Sequence, residues 1–113
     1  AYYTFKAYND LPSVDHTMGV WLNVLTDSDF VVAGTVPQST QISLKAGWNL
    51  VTFASFNDSY SVADLKMDLN ATRVEGFDPL NSPYFLRAML DSDFLEAGLA
   101  YWVYVTQDCV WVL

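Results

Sequence analysis

Cysteine is nearly absent from this chain: Cys109 stands alone among 113 residues, which excludes an internal disulfide. It is expected as a small buried apolar side chain in the last strand. Basic residues are scarce as well, five Lys and Arg against thirteen Asp and Glu, for a net charge of -8. Such a field repels phosphate backbones and anionic lipid surfaces, so no nucleic acid partner is expected. No apolar run approaches the roughly 18 residues of a membrane-crossing helix, so no membrane insertion is expected. His16 is the only histidine, and no Gly-x-Ser-x-Gly elbow accompanies it. A nucleophilic triad needs a nucleophile, a base and an orienting group, so His16 reads as a solvated loop residue. The acids are mainly Asp in turns, where Asp belongs for local hydrogen bonding, rather than a pair of carboxylates flanking a cleft. No catalytic residues are assigned, and the chain is not expected to be an enzyme.

What is abundant is apolar and aromatic: 52% hydrophobic residues and 16% aromatic. That content excludes disorder, and the length suits a single compact domain over residues 1–113. The chain also repeats itself. Residues 3–32 align without a gap on residues 84–113 at a constant offset of 81. Tyr3 falls on Tyr84, Ala7 on Ala88, Asp10 on Asp91, Trp21 on Trp102, Val24 on Val105, Asp27 on Asp108 and Val31 on Val112. A fixed period marks a structural unit used more than once. Residues 1–32 then read as a half-unit repeated in 84–113, with 33–83 as a central segment, and the whole is expected to be a piece of a longer array.

Strand signals dominate. Strands are predicted over Tyr2–Tyr8, Val20–Leu25, Phe30–Val32, Gln41–Leu44, Trp48–Phe53, Thr72–Phe77, Tyr84–Met89, Ala100–Val105 and Cys109–Leu113. Lys45-Ala46-Gly47 reads as a turn. One stretch has helical spacing instead: Val62, Leu65 and Leu69 form a single stripe behind Ser61, an N-cap residue, with Asp64 placed for a capping box. A second helical turn is expected near Asp91–Ala97. The fold class is therefore mainly β with one short helix near 61–69, a β-sandwich or barrel-like domain with an internal pseudo-repeat of 3–32 with 84–113. In the two Trp strands, Val20, Leu22 and Val24 and their counterparts Tyr101, Val103 and Val105 should face the core. Trp21 and Trp102 fall on the opposite, wetter side with Tyr104. Trp48 and Trp111 are expected in the core.

Ile42-Ser43-Leu44-Lys45-Ala46-Gly47-Trp48-Asn49-Leu50-Val51, a short helix near Ser61, and Gly98-Leu99-Ala100-Tyr101-Trp102-Val103-Tyr104-Val105 follow one another in this chain. In that order they resemble the Gly-Trp-Asn-Leu-Val … Gly-Tyr-Trp-Val modules of secreted and cell-surface proteins of archaea and bacteria. The resemblance covers roughly Thr40 to Leu113. It implies a non-catalytic extracellular or cell-surface module, joined to neighbouring modules or surface proteins. Ala100 stands where those modules usually have a second glycine, which alters the turn before the Trp strand.

Two kinds of ligand are considered. Asp27-Ser28-Asp29 and Asp91-Ser92-Asp93 could offer oxygens to Ca²⁺, although neither has the glycine and distal glutamate of an EF-hand loop. No other cofactor is indicated. Trp21, Trp102 and Tyr104 could stack on sugar rings, which makes polysaccharide the alternative partner and a carbohydrate-binding module the alternative function. Two sequons, Asn57-Asp58-Ser59 and Asn70-Ala71-Thr72, are glycan acceptors in an exported protein.

Overall fold

A computed structural model describes residues 13–29, 31, 33–35 and 37–113. The strand expected at Tyr2–Tyr8 lies outside the described residues, as do Phe30 and Val32. The fold is mainly β with one short helix. Its elements in order are β1 (Gln41–Leu44), β2 (Gly47–Thr52), α1 (Val62–Leu69), β3 (Ala71–Phe77), β4 (Leu86–Ala88), β5 (Ala100–Val105) and β6 (Cys109–Val112). All pairings are antiparallel: β1 with β6 in one sheet, and β2-β5-β3-β4 in the other.

The two sheets share one bent ribbon. Leu44 pairs with Cys109 at the end of one sheet and Gly47 with Val105 at the start of the other. Two residues on one strand, Lys45 and Ala46, therefore face three on its partner, Thr106 to Asp108. An unequal count of this kind turns a strand pair from one sheet into the next. Gly47 takes φ +107° at the corner, a conformation that favours glycine. Asn49, although polar, points inward and is buried. Its Nδ2 donates to the carbonyls of Lys45 (2.8 Å) and Gly47 (3.1 Å), and its Oδ1 accepts from Lys45 N–H (3.1 Å). From outside, Asp108 accepts from the Ala46 N–H at 2.9 Å and meets Lys45 Nζ at 3.4 Å. That set of bonds explains the Gly-Trp-Asn part of the motif: glycine for the dihedral, asparagine for the corner's polar groups.

Helix α1 starts where its capping chemistry says it should. Ser61 Oγ accepts from Asp64 N–H while the Asp64 carboxylate accepts from Ser61 N–H, a complete capping box. Asn70 ends it in the left-handed conformation at φ 52°. Val62, Leu65 and Leu69 are buried and pack with Val51, Val74, Val103 and Val105 in one core. Trp111 is 1% exposed. Its indole Nε1–H donates to Tyr60 Oη at 3.2 Å, and that hydroxyl donates to Asp68 at 2.6 Å.

Three expectations need correction. No second helical turn forms at Asp91–Ala97. The carbonyls of Asp91 and Asp93 instead accept from the N–H groups of Ala63 and Val62, satisfying donors that the first turn of α1 leaves open. No strand forms over Val20–Leu25. Leu22 and Val24 are 62% and 63% exposed where Val103 and Val105 are fully buried. Strand β5 owes its burial to lying between β2 and β3, and in this chain the second copy holds that place. Over the described residues 20–25 the first copy thus does not take the strand form that its counterpart takes in β5. Trp48, finally, is an outward residue of β2, exposed over a third of its surface, because Asn49 and Val51 take the inner face.

Candidate functional site

The outer face of the four-stranded sheet carries most of the exposed aromatic surface on regular structure. Strand alternation puts Trp48 and Leu50 of β2, Trp102 and Tyr104 of β5, and Arg73, Glu75 and Phe77 of β3 on that side. The register aligns them: Trp48 opposite Tyr104, Leu50 opposite Trp102, then Tyr104 opposite Arg73 and Trp102 opposite Glu75. Trp48 and Tyr104 meet edge to face, with ring centroids 5.3 Å apart at 73°. Arg73 and Glu75 form an ion pair at 3.1 Å. Trp102 is half-buried between Leu50 and Glu75.

Part of this face is covered by the segment that precedes it in sequence. Met18 bridges Val51 on the free edge of β2. Thr52 donates its N–H to Thr17 O at 3.2 Å and its hydroxyl to Met18 O at 2.7 Å. Gly19 then crosses the sheet so closely that a β-carbon there would lie 2.6 Å from Ala100 Cβ and 2.9 Å from Leu50 Cγ. Beyond it Trp21 packs edge-on against Phe77, centroids 5.7 Å apart at 65°. A groove of about 820 Å³ lies here, lined among others by Trp21, Leu50, Phe77, Leu86 and Trp102.

The structure therefore brings Trp21 and Trp102 to one groove and sets Tyr104 against Trp48 at the other end of the face. Neither aromatic pair is coplanar: in each, one ring turns its edge to the face of the other, an arrangement that the ring quadrupoles favour between packed aromatics. Trp48 and Phe77 are aromatic members of this surface that sequence reasoning missed. For Trp48 the signal was present in Gly-Trp-Asn-Leu-Val, whose alternation groups it with Leu50, but the buried role of Asn49 conceals which group faces in.

The other candidates lie elsewhere. Asp27 and Asp29 are exposed on a segment without regular structure. Asp91 and Asp93 sit in the loop against the start of α1 and hold structural partners. Asp91 meets Lys66 Nζ at 2.7 Å, and Asp93 accepts from Leu90 N–H at 2.8 Å and from Arg87 at 3.2 Å. Those bonds hold the Asp93 carboxyl below its ordinary range, the Leu90 N–H first and Arg87 next. Among the described residues no group of three or more His, Cys, Asp or Glu is placed to share a metal ion. His16 is exposed, with Nε2 3.1 Å from Thr40 Oγ1, while Asp15 accepts from the hydroxyl and N–H of Thr17. Cys109 is half-buried rather than buried, and desolvation, with Asp108 beside it, raises its thiol pKa. Asn57 and Asn70 are both exposed. The carbonyl of the Asn57 side chain accepts from the N–H and hydroxyl of Ser59, whereas Asn70 caps α1.

Comparison of the chain with protein-family models, with curated proteins and with solved structures finds no match.

Proposed function

We propose that the chain is a non-catalytic structural and interaction module of a larger surface or secreted protein, and that its outer sheet face is a packing surface. One observation carries this reading: the outward aromatics are engaged with protein, Trp48 with Tyr104 and Trp21 with Phe77, edge to face in both cases. A sugar-stacking strip needs ring faces open and near a common plane. A packing surface does not, and pairs at 65° and 73° suit the latter. The resemblance of the Gly-Trp-Asn-Leu-Val and Trp-strand segments to modules of exported proteins supports the extracellular setting, as do the two sequons, whose asparagines are exposed.

The carbohydrate-binding alternative keeps one observation in its favour. Trp21 is 56% exposed beside a groove that Trp102 also lines. A polysaccharide and glycan-array screen separates the two, run on the parent chain with Trp102→Ala and Trp21→Ala as controls. Silence across the array is the expected result. Reproducible binding that either substitution abolishes, with the fold intact, would replace the structural reading by carbohydrate recognition.

A further inference from the structure

The first copy of the repeat presents an anomaly that the packing-surface reading does not absorb. Val20, Trp21, Leu22, Val24 and Leu25 form an apolar segment that pairs with no strand of the sheet it lies against, and Leu22 and Val24 are 62% and 63% exposed. Apolar strips of this kind on a soluble chain mark a surface that some partner covers. The repeat frame says what partner fits. At the offset of 81, Val20, Leu22 and Val24 fall on Tyr101, Val103 and Val105, the three side chains that β5 turns into the core. Trp21 falls on Trp102, which β5 turns outward, and Asp27 on Asp108, which accepts from Ala46 N–H at the corner.

We infer that residues 20–25 are a β5 strand for another unit of this kind, seated between that unit's equivalents of β2 and β3. This rests on the module reading above and names the partner it requires. The occupant of the exposed face is a block with the sequence character of 33–83: a Gly-Trp-Asn-Leu-Val hairpin strand, a capped helix and a strand like β3. In that slot Leu22 and Val24 exchange solvent for a core, the backbone groups of 20–25 gain antiparallel partners on both sides, and Asp27 reaches a Lys-Ala-Gly corner. Within this chain the slot is filled, since β5 pairs with β2 along Ala100–Val105 and with β3 along Tyr101–Val105. Residues 17–19, bonded to Thr52 and Val51, then tie the completed unit to this one.

The test is a tandem chain in which a second copy of residues 33–83 precedes the whole 113-residue chain. Amide hydrogen exchange is read separately over 20–25 and over 100–105, the latter reporting that the original unit remains folded. The expected result is exchange over 20–25 slowed by about a hundredfold or more relative to the parent chain. A second variant of the parent chain carries the first copy's strand in the β5 position, through Ala100→Gly, Tyr101→Val, Val103→Leu and Tyr104→Asn together. It is expected to keep a single cooperative unfolding transition and the parent's β-sheet circular dichroism. Exchange over 20–25 that stays as fast in the tandem as in the parent overturns the inference. Loss of cooperative folding in the grafted chain does so too. Neither failure touches the module reading, which the glycan screen decides.

Discussion

Gly19 and Ala100 occupy the same place in the 81-residue frame and touch each other across the outer face of the sheet, where a β-carbon on Gly19 would come within 2.6 Å of Ala100 Cβ. The stretch of the first copy around Gly19 is thus laid on the start of the second copy's strand. The contact has no slack, because Ala100 is fixed in β5 and its methyl group has no rotamer to yield.

Gly19→Ala is accordingly expected to lift residues 17–22 from the sheet while the core stays folded. Overpacking of this kind costs about 1–3 kcal/mol where the site cannot relax, and here the loss falls on a local contact. Amide exchange at Thr52, whose N–H donates to Thr17 O, should rise, and Trp21 emission should shift to the red. Unaltered protection of Thr52 would show that the segment tolerates the methyl group.

The corner asparagine offers a sharper stability test. Asn49→Ala leaves the carbonyls of Lys45 and Gly47 and the N–H of Lys45 without their side-chain partner, at an expected cost of about 1–3 kcal/mol in urea unfolding. Asn49→Leu should not recover it, since the loss is one of hydrogen bonds and not of apolar volume. Wild-type stability in the leucine variant would refute the role given to the amide.

Tyr60→Phe should cost a similar amount, about 1–3 kcal/mol, because it strips the acceptor from the buried Trp111 indole N–H and the donor from Asp68. Trp111→Ala, which empties a site in the core, should cost about 3–5 kcal/mol. Denaturant midpoints for the two variants measure the difference.

Acid is expected to weaken the fold through particular carboxylates. Asp108 is held below its ordinary range by the Ala46 N–H and then Lys45, Asp64 by the Ser61 N–H and hydroxyl, Asp93 by the Leu90 N–H and Arg87, and Asp15 by the Thr17 hydroxyl and N–H. Each binds its proton more readily in the unfolded chain, so its contribution is present above the ordinary value of 3.8 and is lost as pH falls through the depressed folded one. Unfolding midpoints measured from pH 6 down to pH 2.5 should drop on the acid side, and Asp108→Asn should flatten that slope. A slope unchanged by the substitution would take Asp108 out of the account.

Calcium is expected to leave thermal unfolding unmoved. Asp91 and Asp93 already hold Lys66, Arg87 and the Leu90 N–H, so a cation would have to displace existing bonds. Equal melting temperatures in EDTA and in millimolar Ca²⁺ are the expected result, and a rise with Ca²⁺ would reinstate the Asp27, Asp29, Asp91 and Asp93 loops as cation sites.

Wherever local chemistry was sufficient, the sequence by itself determined the outcome. Ser61 and Asp64 set the start of α1, the stripe of Val62, Leu65 and Leu69 chose its buried side, and strict alternation put Tyr101, Val103 and Val105 inward. Strands β1 and β5 lie where their β-branched and aromatic runs begin and end. Only the tertiary structure decided which of two similar strands would be built. Val20–Leu25 and Ala100–Val105 carry nearly the same pattern, but a central strand needs two neighbours, and one slot between β2 and β3 cannot serve both. The same holds for Trp48, whose side of the sheet followed from a buried asparagine holding a corner together. A residue's own character sets its preference for water; which face or slot is open to it depends on chain that lies far away in sequence.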